Sequence, residues 1–359
     1  GSGLQEVQDI TVTSDIRGWG CQEMFANCSS LATVGDLSII GSIGQKGCLD
    51  MFSGCTTAFT MTKLIIGSVY GPTSTSSGNN VLGGCYHMFY GSGIKSLDAI
   101  EIGNNNNYYG CRLMFEGCTQ LTASPTITVT DKVGYCGCHS MFLNCTNLTT
   151  AGDIEVTNSI GQYAFVDMFK GTALTNIPNI SLGTVEGAES PKGGCYHMFN
   201  GLSSIISAGD ITIGTINAYG CQQMFNGCSG LESVGDITIG TINAYGCQQM
   251  FLGCSDLKTI QDVFEVDTIG NYGCHQMFRN CTSLEAAPAI TVHTGVGTGA
   301  CNAMFSACGA SLKSVGDISI ANSVGTYAFA NIYSGASALT TTPKFSANYL
   351  VAGKDTTGG

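Results

Sequence analysis

The sequence is dominated by an internal repeat. Residues 209–225 (GDITIGTINAYGCQQMF) recur without change as 235–251, 26 residues further along the chain. Each copy of the repeat is marked by a Met-Phe or Met-Phe-like pair, whose first residues are Met24, Met51, Met88, Met114, Met141, Met168, Met198, Met224, Met250, Met277, Met304 and Ile332. Because self-similarity at one short period runs through the whole chain, the sequence predicts a solenoid rather than several globular domains.

Positions within the repeat are numbered here from the first residue of that pair, which is position zero. Positions −3, 0 and +1 are apolar, a spacing that predicts a short helix, and the Gly or Asn common at +3 suits the left-handed residue that closes one. The alternating segment that follows, such as 234–239, predicts a strand with one buried face. We therefore expect an α/β, leucine-rich-repeat-like solenoid of about 12 coils of 26–27 residues, with a parallel β-sheet on one face and short helical turns on the other. We expect one domain spanning 4–351, with 1–3 and 352–359 as linker or cloning-derived ends.

Three stretches resemble the BspA-like class of leucine-rich repeats: MFEGCTQLTASP from Met114, MFRNCTSLEAAP from Met277 and YAFVDMFKGTALTNIP from Tyr163. The resemblance extends from residue 4 to about residue 345. Proteins of this family are typically surface-displayed adhesins of anaerobic bacteria, and related repeats occur in phage tail proteins. The resemblance thus implies a location outside a cell or, alternatively, on a virion.

Charge and hydropathy narrow the class of partner. The net charge is −12, which disfavours binding to a nucleic-acid backbone. No apolar run reaches the length of about 18 residues needed to cross a membrane, so no membrane insertion is expected. No N-terminal signal peptide is visible. With 43% hydrophobic residues, the chain has enough apolar side chains to build a core.

The 19 cysteines allow two interpretations. Eight coils carry a Cys-x6-Cys pair at −3 and +4, which could form a disulfide in each coil. The alternative is two columns of small buried thiols. The residues that replace cysteine favour thiols, since they fill space rather than bind: Phe165 and Phe329 at −3; Ser92, Thr172, Leu202 and Ala336 at +4. No metal or cofactor is expected, because no Cys-x2-Cys pair has a matching partner pair.

Two sets of residues are candidates for contact with a partner. The first is an aromatic column at −5: Trp19, Tyr109, Tyr163, Tyr219, Tyr245, Tyr272 and Tyr327. These rings could stack on sugars, or they could pack on the small residue that occupies −4 in the next coil. The second set is an asparagine run near an insertion at 68–80: Asn104, Asn105, Asn106 and Asn107. Insertions in solenoids become loops on one face, which is often the binding face.

An aspartate column before the strands also has two interpretations. Asp210, Asp236 and Asp262 fall in consecutive coils and could line up as oxygen ligands for Ca²⁺. Other coils have Pro at this position, however, which favours a turn in which Asp caps its own backbone.

Catalysis has little support in the sequence. His87, His139, His197 and His275 lie at −1 or −2, where we expect them to be solvated, and no nucleophile, base and orienting group can be assigned. We therefore predict a non-enzymatic, surface-displayed adhesion module that binds a host or matrix protein or a glycan along an extended solenoid face. The alternatives are a phage receptor-binding tail or fibre protein and a self-assembling fibre subunit. Uncapped solenoid ends tend to stack, so flanking domains or end-to-end self-association are expected to cover them.

Overall fold

The structure is a computed structural model that describes residues 3–71, 82–105, 108–187, 189 and 193–350. The chain divides into two compact units, Gly1–Leu174 and Thr175–Gly359. Each unit contains six copies of the repeat, and in each unit the coils wind as a parallel β-solenoid, as predicted. That 4–351 forms a single domain stays a prediction.

The described strands of the first unit form one main sheet and one small sheet. Its strands are β1 (Glu6–Val7), β2 (Ile10–Val12), β3 (Thr33–Val34), β4 (Leu37–Ile43), β5 (Phe59–Val69), β6 (Ile94–Asn104), β7 (Thr126–Val129) and β8 (Ile154–Ile160). The main sheet has the order β2-β4-β5-β6-β7-β8, with parallel neighbours, and β1 pairs with β3. Equivalent residues of successive coils are paired in register: Ile10, Leu37, Leu64, Ile100, Ile127 and Ile154.

The second unit repeats this arrangement. Its strands are β9 (Asn176–Ile177), β10 (Ile180–Val185), β11 (Ser207–Ala208), β12 (Ile211–Ile216), β13 (Ser233–Val234), β14 (Ile237–Ile242), β15 (Val263–Val266), β16 (Thr268–Ile269), β17 (Ala286–Ala287), β18 (Ala289–Val292), β19 (Ser314–Val315), β20 (Ile318–Val324) and β21 (Phe345–Leu350). The longer strands pair in the orders β10-β12-β14-β16 and β15-β18-β20-β21, and the short ones as β9-β11-β13 and β17-β19.

The predicted alternation of the strands is confirmed. In β12, Ile211, Ile213 and Ile216 are buried, whereas Thr212 is exposed. β-Branched side chains fit this pleated, half-buried surface, and the sheet buries one face against the turn segment of the same coil.

The predicted helical turns are wrong: the described residues contain no helix, and hence none long and apolar enough to cross a membrane. Instead, positions −5, −1 and +3 have left-handed backbone, as at Tyr219 (φ 61°), Gln223 (φ 57°) and Gly227 (φ 73°). Successive backbone amides then donate hydrogen bonds alternately to a carbonyl of their own coil and to a carbonyl of the next coil. The Met224 N–H donates to the Cys221 carbonyl (3.3 Å), while the Phe225 N–H donates to the Met250 carbonyl of the next coil (2.8 Å). An α-helix keeps its amides for its own carbonyls four residues back, so it could not make this second set.

The core is built of columns that run from coil to coil. The Phe rings at +1 stack almost parallel, with centroids 4.8 Å apart for Phe225 and Phe251 and 5.2 Å apart for Phe251 and Phe278. The small residue at −4 is explained by an isoleucine side chain of the same coil: a Cβ on Gly220 would lie 2.8 Å from the Cγ2 atom of Ile216. Each coil therefore packs in register on the next.

All 19 cysteines are free thiols, and all but Cys21 are buried. At +4 the thiol donates to a Phe carbonyl of the preceding coil, as in Cys55 Sγ to Phe25 O (3.0 Å) and Cys118 Sγ to Phe89 O (3.0 Å). The hydroxyl of Thr172 donates to a carbonyl in its own coil instead. The structure thus agrees with the thiol interpretation and gives the +4 cysteine a hydrogen-bonding role as well as a packing role.

Candidate binding surface

Three tyrosines at −5 of the second unit form a ladder. The Tyr219 and Tyr245 rings are 4.8 Å apart with an interplanar angle of 2°, and the Tyr245 and Tyr272 rings are 5.2 Å apart at 10°. Gly299 occupies −5 in the following coil, where a Cβ would lie 2.4 Å from Cε1 of Tyr272. All three rings are half-buried. Because both faces of Tyr245 are covered by its neighbours, the part of that ring left to solvent is its edge.

The Tyr245 hydroxyl stays protonated at neutral pH. Partial desolvation raises its pKa, and the neighbouring Tyr219 and Tyr272 hydroxyls raise it further, because a phenolate would be poorly hydrated and close to two similar groups. The hydroxyl therefore remains both a donor and an acceptor.

A glutamine ladder lies at −1 of the same coils. The Gln223 amide donates to the Gln249 side-chain oxygen (2.6 Å), and the Gln249 amide donates to that of Gln276 (2.7 Å). At −2, Gln222 donates to Gln248 (2.8 Å). These bonds fix the amide groups in a regular row. This ladder was not predicted from the sequence, although the Gln-Gln pair lies inside the duplicated segment.

The tyrosines of the first unit are arranged differently. Cys136 occupies −5 between the coils of Tyr109 and Tyr163, and Tyr135, one residue earlier, bridges them. Its ring is 5.8 Å from that of Tyr109 and 5.5 Å from that of Tyr163, at interplanar angles of 78° and 72°. Burial raises the pKa of Tyr135 to about 12, helped by Cys136 and the neighbouring tyrosines. Tyr135 was not predicted, because it lies outside the −5 column.

Trp19 and Tyr327 lie in the first and last coils. Their side chains are 65% and 46% exposed, and neither stacks on another member of the −5 column within the described residues. The Lys46 ammonium lies 5.8 Å from the centre of the Trp19 ring. These two residues are thus the most open members of the column.

The asparagine run is partly structural. Asn104 ends β6, and its amide donates to Asp131 (2.7 Å), which also accepts from Asn158 (2.9 Å). Asn105 is fully buried, and its amide donates to the Gly137 carbonyl (3.1 Å). Asn105 therefore has no surface to offer a partner. Asn106, Asn107 and most of the insertion fall outside the described residues.

The aspartate column caps backbone amides. The Asp36 N–H donates to Oδ1 of Asp9 (2.9 Å), and the Asp236 N–H donates to Oδ1 of Asp210 (3.0 Å). These carboxylates accept from backbone amides of the next coil, whereas the turn interpretation expected each Asp to cap its own backbone. Over the part of the chain that the structure describes, no group of three or more His, Cys, Asp or Glu side chains could hold a metal ion.

The histidines are less solvated than predicted. His87 Nε2 lies 2.9 Å from Oε2 of Glu116, and Nδ1 lies 3.8 Å from Oδ1 of Asp50. Burial, helped by the Arg112 guanidinium, lowers the pKa of His139 to about 4. His139 is therefore neutral at physiological pH, and its Nδ1 lies 2.8 Å from the Ser140 hydroxyl.

Comparison with known proteins gives a family match. The model for the BspA type leucine rich repeat region matches in six copies, over residues 80–185 and 207–336. Among solved structures, the chain is similar to a leucine-rich repeat protein from Bacteroides ovatus ATCC 8483. That similarity has 15% sequence identity and a TM-score of 0.35, and it covers 97% of this chain and 92% of the other. No curated protein matches.

Proposed function

Because the chain belongs to the family of BspA-type leucine-rich repeat proteins, we propose that it is a non-enzymatic binding module displayed at a cell surface. It recognises a partner protein along the turn face, the surface formed by positions −5 to +3 of successive coils. Repeat proteins of this kind are scaffolds that present an extended surface for binding. The observation that supports the proposal is that the tyrosine ladder and the glutamine ladder lie in the same coils of the second unit.

This surface has the physical properties of a preorganised interface. Tyrosine offers a large, rigid and amphipathic contact area, and binding immobilises few of its rotatable bonds. Stacking already fixes the Tyr219, Tyr245 and Tyr272 rings, and hydrogen bonds already fix the glutamine amides. A partner would therefore meet hydroxyl, amide and ring-edge groups without having to order them.

The arrangement of the rings favours a protein over a glycan. Sugars are held by stacking on an open aromatic face, but in this ladder the faces of Tyr245 are used by Tyr219 and Tyr272. Ring edges and phenol hydroxyls suit the polar and aliphatic groups of a protein surface. A glycan held only by hydrogen bonds to these edges is the second outcome that the experiment distinguishes.

The experiment measures binding of the full chain to immobilised matrix and host-surface proteins and to a glycan array. The test variant combines Tyr219→Gly, Tyr245→Gly and Tyr272→Gly, which the backbone accepts because Gly299 holds the same position with φ 59°. The control combines Thr212→Ala and Thr238→Ala on the exposed face of the sheet. We expect the tyrosine variant to bind its protein ligand at least ~10-fold more weakly and the control to be unaffected.

Two results would contradict the proposal. Loss of binding in the threonine control alone would place recognition on the sheet face, and binding to glycans alone would change the ligand class. Location is tested separately, by antibody labelling of intact cells that carry the gene. Labelling only after permeabilisation would contradict display at the cell surface, and labelling of purified phage particles would assign the chain to a virion.

A further inference from the structure

The two ladders of the second unit stop at the same coil, that of Met304. At −5 the stacked tyrosines are followed by Gly299, and at −1 the hydrogen-bonded glutamines are followed by Ala303. At +2 the guanidinium of Arg279 is followed by the hydroxyl of Ser306. The coil of Met304 therefore has a small side chain, or none, at three positions where the preceding coil has a long one.

The next coil, that of Ile332, again has exposed side chains at −5, −1 and +2: Tyr327, Asn331 and Ser334. Between the two coils with longer side chains, Ala303 and Ser306 are each 8% exposed. Gly299, Ala303 and Ser306 thus form the floor of a recess across the turn face, which we call the Met304 recess. It is bounded by a described coil on each side, so its shape does not depend on where the chain begins or ends.

The wall of the recess formed by the coil of Met277 presents hydrogen-bond donors. The Gln276 side-chain oxygen accepts from Gln249 (2.7 Å), but no described residue accepts from the Gln276 amide group itself. Arg279 is exposed and forms no ion pair with a described residue.

The charge of this part of the turn face is opposite to that of the chain. Arg279 is the only Asp, Glu, Lys or Arg in the turn segments of four successive coils, residues 245–253, 272–280, 299–307 and 327–335. The chain as a whole has a net charge of −12. A guanidinium beside an amide donor is the arrangement that binds a carboxylate, because both groups donate to its oxygens.

The first unit shows how a gap in the aromatic column is filled. There Cys136 interrupts the column at −5, and the ring of Tyr135 occupies the gap. Its centroid lies 5.8 Å from that of Tyr109 and 5.5 Å from that of Tyr163. A gap of one coil between two tyrosines therefore holds one aromatic ring.

The corresponding gap at Gly299 has no ring of its own. The residue before it is Thr298, so the chain supplies no equivalent of the ring that fills the first gap. The three atoms nearest to a Cβ on Gly299 all belong to the ring of Tyr272, which leans over the glycine. Rotation of this one side chain opens the space between Tyr272 and Tyr327.

We propose that the Met304 recess binds an acidic segment of the partner protein. An aromatic side chain of that segment fills the gap over Gly299 and stacks on Tyr272, and a carboxylate beside it accepts hydrogen bonds from Arg279 and Gln276. Ring stacking and charge-assisted hydrogen bonds thus act side by side, on groups that the ladders already hold in place. The assignment of the occupant to a partner protein rests on the proposed function, whereas the chemistry of the recess does not.

The recess is tested first with N-acetyltryptophan, which carries both a ring and a carboxylate. Its binding to the full chain is measured by ligand-observed saturation-transfer NMR and compared with that of N-acetyltryptophanamide, which lacks the charge, and N-acetylalanine, which lacks the ring. We expect N-acetyltryptophan to bind at least ~5-fold more tightly than either. Equal binding of the amide or of N-acetylalanine overturns the proposal, and so does binding of methyl β-glucoside in place of N-acetyltryptophan.

A filled variant tests the position of the site. Gly299→Tyr with Ala303→Gln continues both ladders across the coil of Met304. The backbone accepts both residues, because Gly299 and Ala303 have φ of 59° and 54° and the residues they would copy, Tyr272 and Gln276, have φ of 54° and 56°. We expect this variant to unfold at the same denaturant concentration as the native chain, or higher, and to bind N-acetyltryptophan at least ~10-fold more weakly.

Two further variants separate charge from shape. Arg279→Gln should bind N-acetyltryptophan no better than the native chain binds the amide. Thr238→Gln, which adds a glutamine on the exposed face of the sheet, is the control and should bind as the native chain does. Undiminished binding in the filled variant, or an equal loss in Thr238→Gln, overturns the site.

The outcome is independent of whether a protein partner is found. If no matrix or host-surface protein binds the chain but N-acetyltryptophan binds the recess, the chemistry assigned to the recess is correct and the proposed function is wrong. If a protein ligand binds the filled variant as tightly as the native chain, the proposed function survives and the recess is not the site that holds the acidic segment.

Discussion

Cys21 is expected to react far faster than the other thiols of the native protein. It is the single half-buried cysteine of the 19, and the rest are buried. A hydrogen bond with the thiol of Cys48 lowers the pKa of Cys21 to about 7, because the neighbour donates to the thiolate. Burial acts in the opposite direction elsewhere and raises the pKa of Cys136 and of Cys308 to about 12.

The size of the effect follows from these values. At pH 7 about half of Cys21 is thiolate, compared with about 1% of a thiol with a pKa of 9, a gain of about 50-fold. The lower basicity reduces the intrinsic nucleophilicity about 8-fold, so the net rate is about 6-fold above that of an ordinary exposed thiol. A buried thiol with a pKa of about 12 has about 10⁵-fold less thiolate than thiol at pH 7. Its reaction with a reagent also requires local opening of the coil.

The assay is reaction of the native protein with an aromatic disulfide reagent at pH 7, followed by the same reaction in denaturant. We expect one fast equivalent in the native state and all 19 thiols after unfolding. Cys21→Ser should remove the fast equivalent. Cys48→Ala should slow it about 6-fold, by returning the pKa of Cys21 toward its ordinary value. Several fast equivalents in the native chain, or a reaction midpoint near pH 9, would refute the reasoning.

Three further outcomes can be checked by chemical unfolding. Ala307→Gly should stabilise the second unit by about 1 kcal/mol, since Ala307 has a left-handed φ of 57° at a position where most coils have Gly or Asn; no gain would contradict the strain. Phe251→Ala should destabilise by about 3–5 kcal/mol, because its ring stacks on two neighbours and is fully buried. Phe25→Ala, with one stacked neighbour and partial exposure, should lose at most half as much, and equal losses would argue against the columnar core. The pKa of His139 is depressed to about 4 in the folded protein, so the unfolded chain takes up the proton at a higher pH and the free energy of unfolding falls as the pH drops from 6.5 toward 4. The expected loss is about 2 kcal/mol between pH 7 and pH 5. His139→Gln should abolish this contribution to the pH dependence.

Much of the fold follows from the sequence because stacking in register repeats one environment many times. The alternation of Ile211, Thr212 and Ile213 specified a strand, and the small residue at −4 specified close packing. The replacement of cysteine by Phe165 and Thr172 indicated packing rather than disulfide bonding. In each case a column sampled the same site in several coils, so its substitutions revealed what the site tolerates.

The turn segment could not be assigned in the same way. Apolar residues at −3, 0 and +1 lie on one side of both a helix and a run of tight turns, so their spacing does not separate the two. The distinguishing signal has a period of four: −5, −1 and +3 all have positive φ. At +3, Gly and Asn show it clearly, but at −5 Tyr and Trp conceal it, because bulky residues are rarely found in the left-handed region.

The presence of bulky tyrosines in the left-handed region at −5 is also the best argument that the tyrosine ladder has a function. Lys46, Cys136 and Gly299 occupy the same position with φ of 59°, 52° and 59°, so the backbone does not require an aromatic residue there. A tyrosine in the left-handed region is strained by about 1–2 kcal/mol, which stacking of about 0.5–1.5 kcal/mol per pair only partly offsets. Glycine would be the better choice for folding alone. The replacement of Tyr219, Tyr245 and Tyr272 by glycine should therefore leave the fold intact while it removes the proposed binding surface. This separation makes the variant a test of recognition rather than of stability.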